Sequence, residues 1–187
     1  MSYKIEDSAF RESLKTTDTK QHFGCIITKN NKIVSRGHNF RSFGTSHTCC
    51  CHAEMDAVYR HLQALDLWRD FKNILQIAYH TTGVLSRVAS GDLTNRKLDK
   101  MMQTLSRICH LRNMAKTRRR QKFKLYIYRF YVDGTVSNAK PCAECSRWLR
   151  LASCLGINYE VFYSDGVSMK KYQYECDHLY LPSNTYF

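Results

Sequence analysis

Two kinds of hydrophobic pattern alternate along this chain, and their order predicts its layout. Phe23 to Thr28 is a short β-prone run, Asn30-Asn31 is a residue pair that tolerates positive φ, and Lys32 to Gly37 returns with Ile33 and Val34. The pattern predicts a hairpin. After a loop holding Gly37, Asn39, Gly44 and Ser46, apolar residues recur at Met55, Val58, Tyr59, Leu62 and Leu65, which is the spacing of a helix packed by one face. That helix is expected to begin near His52.

Further along, Leu67 to His80 and Leu98 to Met114 both carry helix-compatible spacing, separated by Ser90-Gly91-Asp92. Tyr126 to Val132 is then strongly β-prone, and Asp133-Gly134 marks a turn. Pro141 suits the first turn of a helix, along which Cys145, Trp148, Leu149, Ala152 and Leu155 share a face until Gly156 caps it. Tyr159 to Tyr163 reads as another strand that exits through Ser164-Asp165-Gly166. The tail from Lys170, with Tyr172, Tyr174, Tyr180, Leu181 and Phe187, fits a last strand, a packing arm or a substrate-side lid equally well. No internal repeat or Pro/Ser-rich linker divides the chain, so residues 1–187 are expected to form one domain.

Composition narrows the class. At 187 residues and 43% hydrophobic content the chain can bury a core, and no apolar run approaches the roughly 18 residues of a membrane span. Met1 to Asp7 lacks an apolar stretch of signal-peptide type, so a cytoplasmic, reducing location is expected. Nine cysteines, three of them consecutive (Cys49, Cys50, Cys51), then read as thiols rather than as a disulfide framework. The charge is concentrated: twelve basic residues against Asp92 and Asp99 give residues 85–124 a net charge of +10 out of +13. This stretch is read as a basic helical insertion that either attracts phosphate or is simply solvated.

The chemistry rests on two short motifs. His52-Ala53-Glu54 is followed by Pro141-Cys142-Ala143-Glu144-Cys145, with each motif placed at a predicted helix start. One imidazole and two thiolates fill three corners of a zinc tetrahedron and leave the fourth to water. Cys142 and Cys145, three apart, lie on one helical face near unsatisfied backbone N–H groups that favour thiolate. Glu54 is better used to move protons than as a fourth ligand, which would close the site. A C-x-x-C alone also fits a redox pair, or half of a closed structural zinc site completed by Cys49, Cys50 or Cys51. The combination of H-x-E with a later P-C-x-x-C is the signature of zinc deaminases that act on nucleobases.

Gly37-His38-Asn39, Cys51 to Ala57 and Pro141 to Cys145 resemble the cytidine deaminase superfamily, and within it most closely the deoxycytidylate deaminases. Cys51, the pattern Glu54-Met55-x-Ala57 and Tyr163-Ser164-Asp165 favour that branch, whereas Asp56 stands where the group usually has asparagine. The resemblance implies a three-layer α/β/α sandwich around a five-stranded mixed sheet. It also implies zinc on His52, Cys142 and Cys145, Glu54 as acid and base, Asn39 on the sugar, backbone groups around Ala53 on the base, and a homo-oligomer. The implied reaction is hydrolytic deamination of cytosine, first in a free nucleotide such as dCMP. A polynucleotide deaminase contacting single-stranded DNA or tRNA through the basic residues 112–124 is the alternative, and a non-catalytic nucleic-acid-binding module held by zinc is a third reading. His47, Cys49 and Cys50 are candidates for a second, structural zinc, although buried small thiols explain them as well.

Overall fold

In the computed structural model, residues 2–18, 21–41, 50–76, 78 and 121–173 are described. Helix α1 spans Ser2–Ser13, β1 His22–Lys29 and β2 Lys32–His38. The predicted hairpin forms because Asn30 (φ 49°) and Asn31 (φ 63°) both take the left-handed conformation that a tight two-residue turn needs. Short β3 (Phe40–Arg41) and β4 (Cys50–Cys51) pair with each other and lead into α2, Ala53–Ala64. Residues 68–76 form α3. They fall within the helical pattern read between Leu67 and His80. Then follow β5 (Gln121–Phe130), β6 (Val136–Ser137), α4 (Ala143–Ala152), a 3₁₀ turn, β7 (Ile157–Ser164) and β8 (Met169–Lys171).

The main sheet runs β2-β1-β5-β7-β8, with β6 added to β5. It is mixed, because β5 and β7 are parallel while the other neighbours are antiparallel. Alternate side chains of the central strands enter different cores. Cys25, Ile27, Leu125, Ile127 and Val161 join Ala53, Ala57, Val58 and Leu62 of α2 and Leu149 and Ala152 of α4 on one face. Ile26, Tyr128 and Phe130 meet Ala9, Ile5 and Phe10 of α1 on the other. Helices therefore cover both faces, and the expected α/β/α sandwich is the architecture found. No described helix is long and apolar enough to cross a membrane.

Three expectations need revision. Helix α1 was not foreseen: its apolar residues Ile5, Ala9 and Phe10 are few, and they bury only because the sheet's second face receives them. Strand β5 begins at Gln121, inside the basic run, so Lys122 and Lys124 belong to the sheet rather than to an insertion. Phe123 and Leu125 point into the main core, and the two exposed lysines alternate with them toward the opposite face. Finally, Pro141 precedes the helix, because Cys142 is the N-cap of α4. The rest of the basic stretch, the pattern at Leu98 to Met114 and the tail from residue 174 lie outside the described residues.

Two glycines mark where layers touch. A Cβ on Gly24 would collide with the backbone of Ala9 in α1, and one on Gly37 with Ala53 O and Ala57 N of α2. Because these are backbone atoms, no side-chain rearrangement can relieve the clash. Gly37→Ala is expected to destabilise the fold by about 1–3 kcal/mol or more through overpacking, measured as a fall in the urea midpoint at unchanged m-value.

His61 of α2 is 2% exposed, donates or accepts a 2.7 Å hydrogen bond with Tyr159 Oη, and stacks edge-on to Phe123. Burial, helped by the charge of Lys29, pushes its pKa from 6.5 down to about 4. Between those values the unfolded chain holds a proton that the folded chain does not, so stability rises with pH across this window. This contribution is complete above pH 6.5 and is lost as pH falls toward 4, on the order of 3 kcal/mol in all. Urea titrations from pH 4 to 7 should show a shallower pH slope for His61→Leu than for the parent chain. Equal slopes would contradict a buried neutral imidazole.

Candidate metal centre

Both metal motifs sit at helix N-termini on the main-core side of the sheet. His52 is the N-cap residue of α2, with extended backbone (φ −78°, ψ 151°) and no side-chain cap bond, so its imidazole is left for other partners. Cys142 caps α4 with Sγ, which accepts the backbone N–H of Cys145 at 3.4 Å. Cys145 lies one turn on and is fully buried. The structure brings these three together across ninety residues: His52 Nδ1 is 3.4 Å from Cys142 Sγ and 3.3 Å from Cys145 Sγ. Zinc–sulfur bonds near 2.3 Å and zinc–nitrogen bonds near 2.0 Å, set tetrahedrally, separate N and S by about 3.5 Å. The donor set and its spacing therefore fit zinc. Among the described residues, this is the one group of three or more His, Cys, Asp or Glu side chains placed to share an ion.

Electrostatics in the cluster point the same way. The Cys142 thiol is pulled down to about 4, chiefly by a hydrogen bond from Cys145 and further by His52. Cys145 is pushed up by that same thiolate and by burial, since two adjacent sulfurs without a cation share one ionisation. The hydrogen bond with Cys142 in turn raises the pKa of His52. Zinc would favour the anionic form of both sulfurs.

Glu54 lies in the first turn of α2, 5% exposed and outside the three-ligand cluster. Burial raises its pKa, although its own backbone N–H and the charge of His52 partly offset this. A carboxyl group that holds its proton above the ordinary carboxylate range suits proton transfer. Cys51 does not complete a four-ligand site: its Sγ is hydrogen-bonded to His52 O at 3.8 Å, and burial with the charges of Asp56 and Glu54 pushes its pKa up to about 12. His47 and Cys49 lie outside the described residues, as does the Cys50 side chain.

Ala53 opens α2 and is completely buried. Asn39 is 6% exposed, and its side chain spans the entry to β1: Oδ1 accepts Phe23 N–H and Nδ2 donates to Gln21 O, both at 2.8 Å. An amide retains one further donor and one further lone pair after those bonds. Thr16 Oγ1 also donates to Asn39 O at 2.5 Å.

The sequence reading missed the supports of this site. His38 N–H donates to Asp56 Oδ2 at 3.1 Å, His38 Nδ1 bonds Glu12 Oε1 of α1 at 3.1 Å, and Arg60 Nε donates to Asp56 Oδ1 at 2.9 Å. Aspartate rather than asparagine at position 56 thus gives Arg60 a carboxylate partner. Burial alone would raise the Glu12 pKa, but bonds with Lys15 and His38 outweigh it and leave Glu12 below its ordinary value. Cys25 of β1 is buried under the site, its thiol pushed well above the ordinary range by burial and by Glu54 and Asp56. No motif marks these residues, since each acquires its role from strands and helices distant in the chain.

The family described as the cytidine and deoxycytidylate deaminase zinc-binding region matches residues 4–81, which include Asn39, His52, Ala53 and Glu54. The match spans 78 of the chain's 187 residues and takes in the first metal motif, so over that part the chain is similar to this family. Its second metal motif, at Cys142 and Cys145, lies beyond that match and joins the first through the fold. Two solved structures resemble it at a distance. The dCMP deaminase from the cyanophage S-TIM5 in complex with dCMP and dUMP is 14% identical, with a TM-score of 0.35 over 87% of this chain and 82% of that one. The apo form of the same enzyme is 15% identical, with a TM-score of 0.32 over 89% and 90%. No curated protein sequence matches the chain. From this ligand geometry, one zinc per chain is expected by elemental analysis, and Cys142→Ala or His52→Ala should abolish stoichiometric metal while Cys51→Ala retains it.

Proposed function

We propose that the chain is a zinc-dependent hydrolase that deaminates a cytosine base, most favourably in a free nucleotide such as dCMP, and that one deaminase domain carries the whole site. The observation behind this reading is the convergence of His52 Nδ1, Cys142 Sγ and Cys145 Sγ beside the buried Glu54. Zinc held there supplies a Lewis acid that lowers the pKa of water toward about 7, leaving a fourth position for water or substrate.

The chain's own residues supply the rest. Glu54 takes the proton from the attacking water as a C–O bond forms at C4 of cytosine, and delivers it to the ring nitrogen. It then takes the proton of the new C4 hydroxyl and gives it to the exocyclic nitrogen as the C4–N bond breaks, so that the C4 carbonyl of uracil forms and ammonia leaves. The raised pKa of Glu54 suits this exchange, because a carboxylate that ionises too readily would keep no proton to return. Backbone groups around Ala53 are assigned to the base, and Asn39, already tied to the entry of β1, is assigned to the sugar through its remaining hydrogen-bonding capacity.

A polynucleotide substrate is the less favoured alternative. Lys122 and Lys124, the two described lysines of the segment assigned to it, stand on the sheet face away from the cluster. The test is to offer the zinc-loaded protein dCMP, deoxycytidine, single-stranded DNA and tRNA in parallel, with ammonia and the deaminated product as readouts. Conversion of dCMP is expected, and Glu54→Gln should keep zinc while losing at least about 10²-fold in kcat. Product from none of the four with zinc bound would refute a deaminase, and product from a polymer alone would reverse the order of substrates.

A further inference from the structure

Arg129 is a cation on an inner face of the sheet that the reaction as derived does not use. It pairs directly with Phe23 across β1 and β5, two residues beyond the Cys25–Ile127 pair. Strand alternation puts both residues on the main-core face that carries the metal cluster, about 7 Å farther toward the end of β5 from which the chain runs on to Cys142. The place is well defined. Phe23 packs on the main core, Cys25 below it senses the charge of Glu54, and Asn39 holds the Phe23 backbone.

The guanidinium is held by rings. Its central carbon lies 5.6 Å from the centre of the Phe23 ring and 6.0 Å from that of Tyr131. Arg129 is half-buried, and among the described residues it has no carboxylate partner and no hydrogen-bond acceptor. A guanidinium carries five N–H donors in a planar fork. Contacts with two ring faces orient the fork and leave its donors unspent. An oxyanion with several oxygens matches that fork bidentately, and phosphate is the anion that a nucleotide brings.

We propose that Arg129, clamped between Phe23 and Tyr131, is the subsite for the 5′-phosphate of the substrate, and that it makes the enzyme select nucleotide over nucleoside. The assignment rests on the deaminase reading above and adds its specificity. The three substrate parts then follow the sheet in order: the base at His52, Cys142, Cys145 and Glu54, the sugar beside Asn39, and the phosphate at Arg129. Because the rings restrict the side chain before substrate arrives, little rotamer freedom is lost on binding.

The experiment compares kcat/KM for dCMP and for deoxycytidine in the zinc-loaded full chain, in the parent protein and in Arg129→Met, which keeps the stem packed between the rings. The parent is expected to prefer dCMP, and in Arg129→Met that preference should fall roughly 10- to 150-fold, the range for a hydrogen bond to a charged group. Arg129→Lys keeps the charge without the fork, should retain part of the preference, and serves as the decisive variant if the methionine form fails to fold by circular dichroism. An unchanged preference in either folded variant would overturn the assignment while leaving deamination intact. If the parent deaminates neither compound, the deaminase reading fails and calorimetry decides the subsite. Tighter binding of dCMP than of deoxycytidine that disappears in the variant supports it, and equal affinities for the two in the parent overturn it.

Discussion

The close seating of α2 on β2 governs the rest of this molecule. Gly37 allows the backbone of β2 to touch that of α2 at Ala53 and Ala57, and Ser35 Oγ donates to Ala57 O at 2.8 Å nearby. A helix held this tightly has little freedom to slide or turn, so its first residues, His52 and Glu54, are fixed relative to the sheet. Asp56, bonded to the His38 backbone and to Arg60, ties the same turn from its other side. The precision a metal site needs is thereby supplied by backbone packing and a buried charge network, and not by the ligands themselves.

Burial and charge divide the labour among chemically similar groups around that helix. Four thiols near the site differ in state because their surroundings differ. Cys142, at a helix start with hydrogen bonds from Cys145, ionises easily, whereas Cys25 and Cys51 beside carboxylates remain protonated. Cys145 follows Cys142 only when a cation is shared. Glu54, buried beside the imidazole, keeps its proton longer than an exposed carboxyl would. Each difference traces to a neighbour delivered by another strand or helix.

Much of this was legible in the chain. The Asn30-Asn31 turn, the start of α2, a strand through Tyr159 to Tyr163 and the left-handed Gly156 that ends the 3₁₀ turn after α4 all follow from local chemistry, because turn residues and periodicity act within a few positions. The two metal motifs were legible for the same reason, since each spacing is local to one helical turn. Helix α1 was not, because its apolar face is short and is completed only by Ile26, Tyr128 and Phe130 of the sheet. The start of β5 was obscured as well. Lysines alternating with Phe123 and Leu125 read as a basic run until the strand shows that only one face is buried.

By itself the sequence determined the ligand types, the carboxylate two residues from the imidazole, and the elements that carry them. Tertiary structure alone decided that His52 meets Cys142 and Cys145 within 3.4 Å and that Cys51 is left out of that cluster. It also decided that Arg129 lies on the main-core face of the sheet, over the Phe23 ring, while Lys122 and Lys124 lie on the other face. The physical reason is range. Propensity, capping and turn chemistry act over a few residues, whereas strand register and helix seating set which distant groups share one low-dielectric pocket.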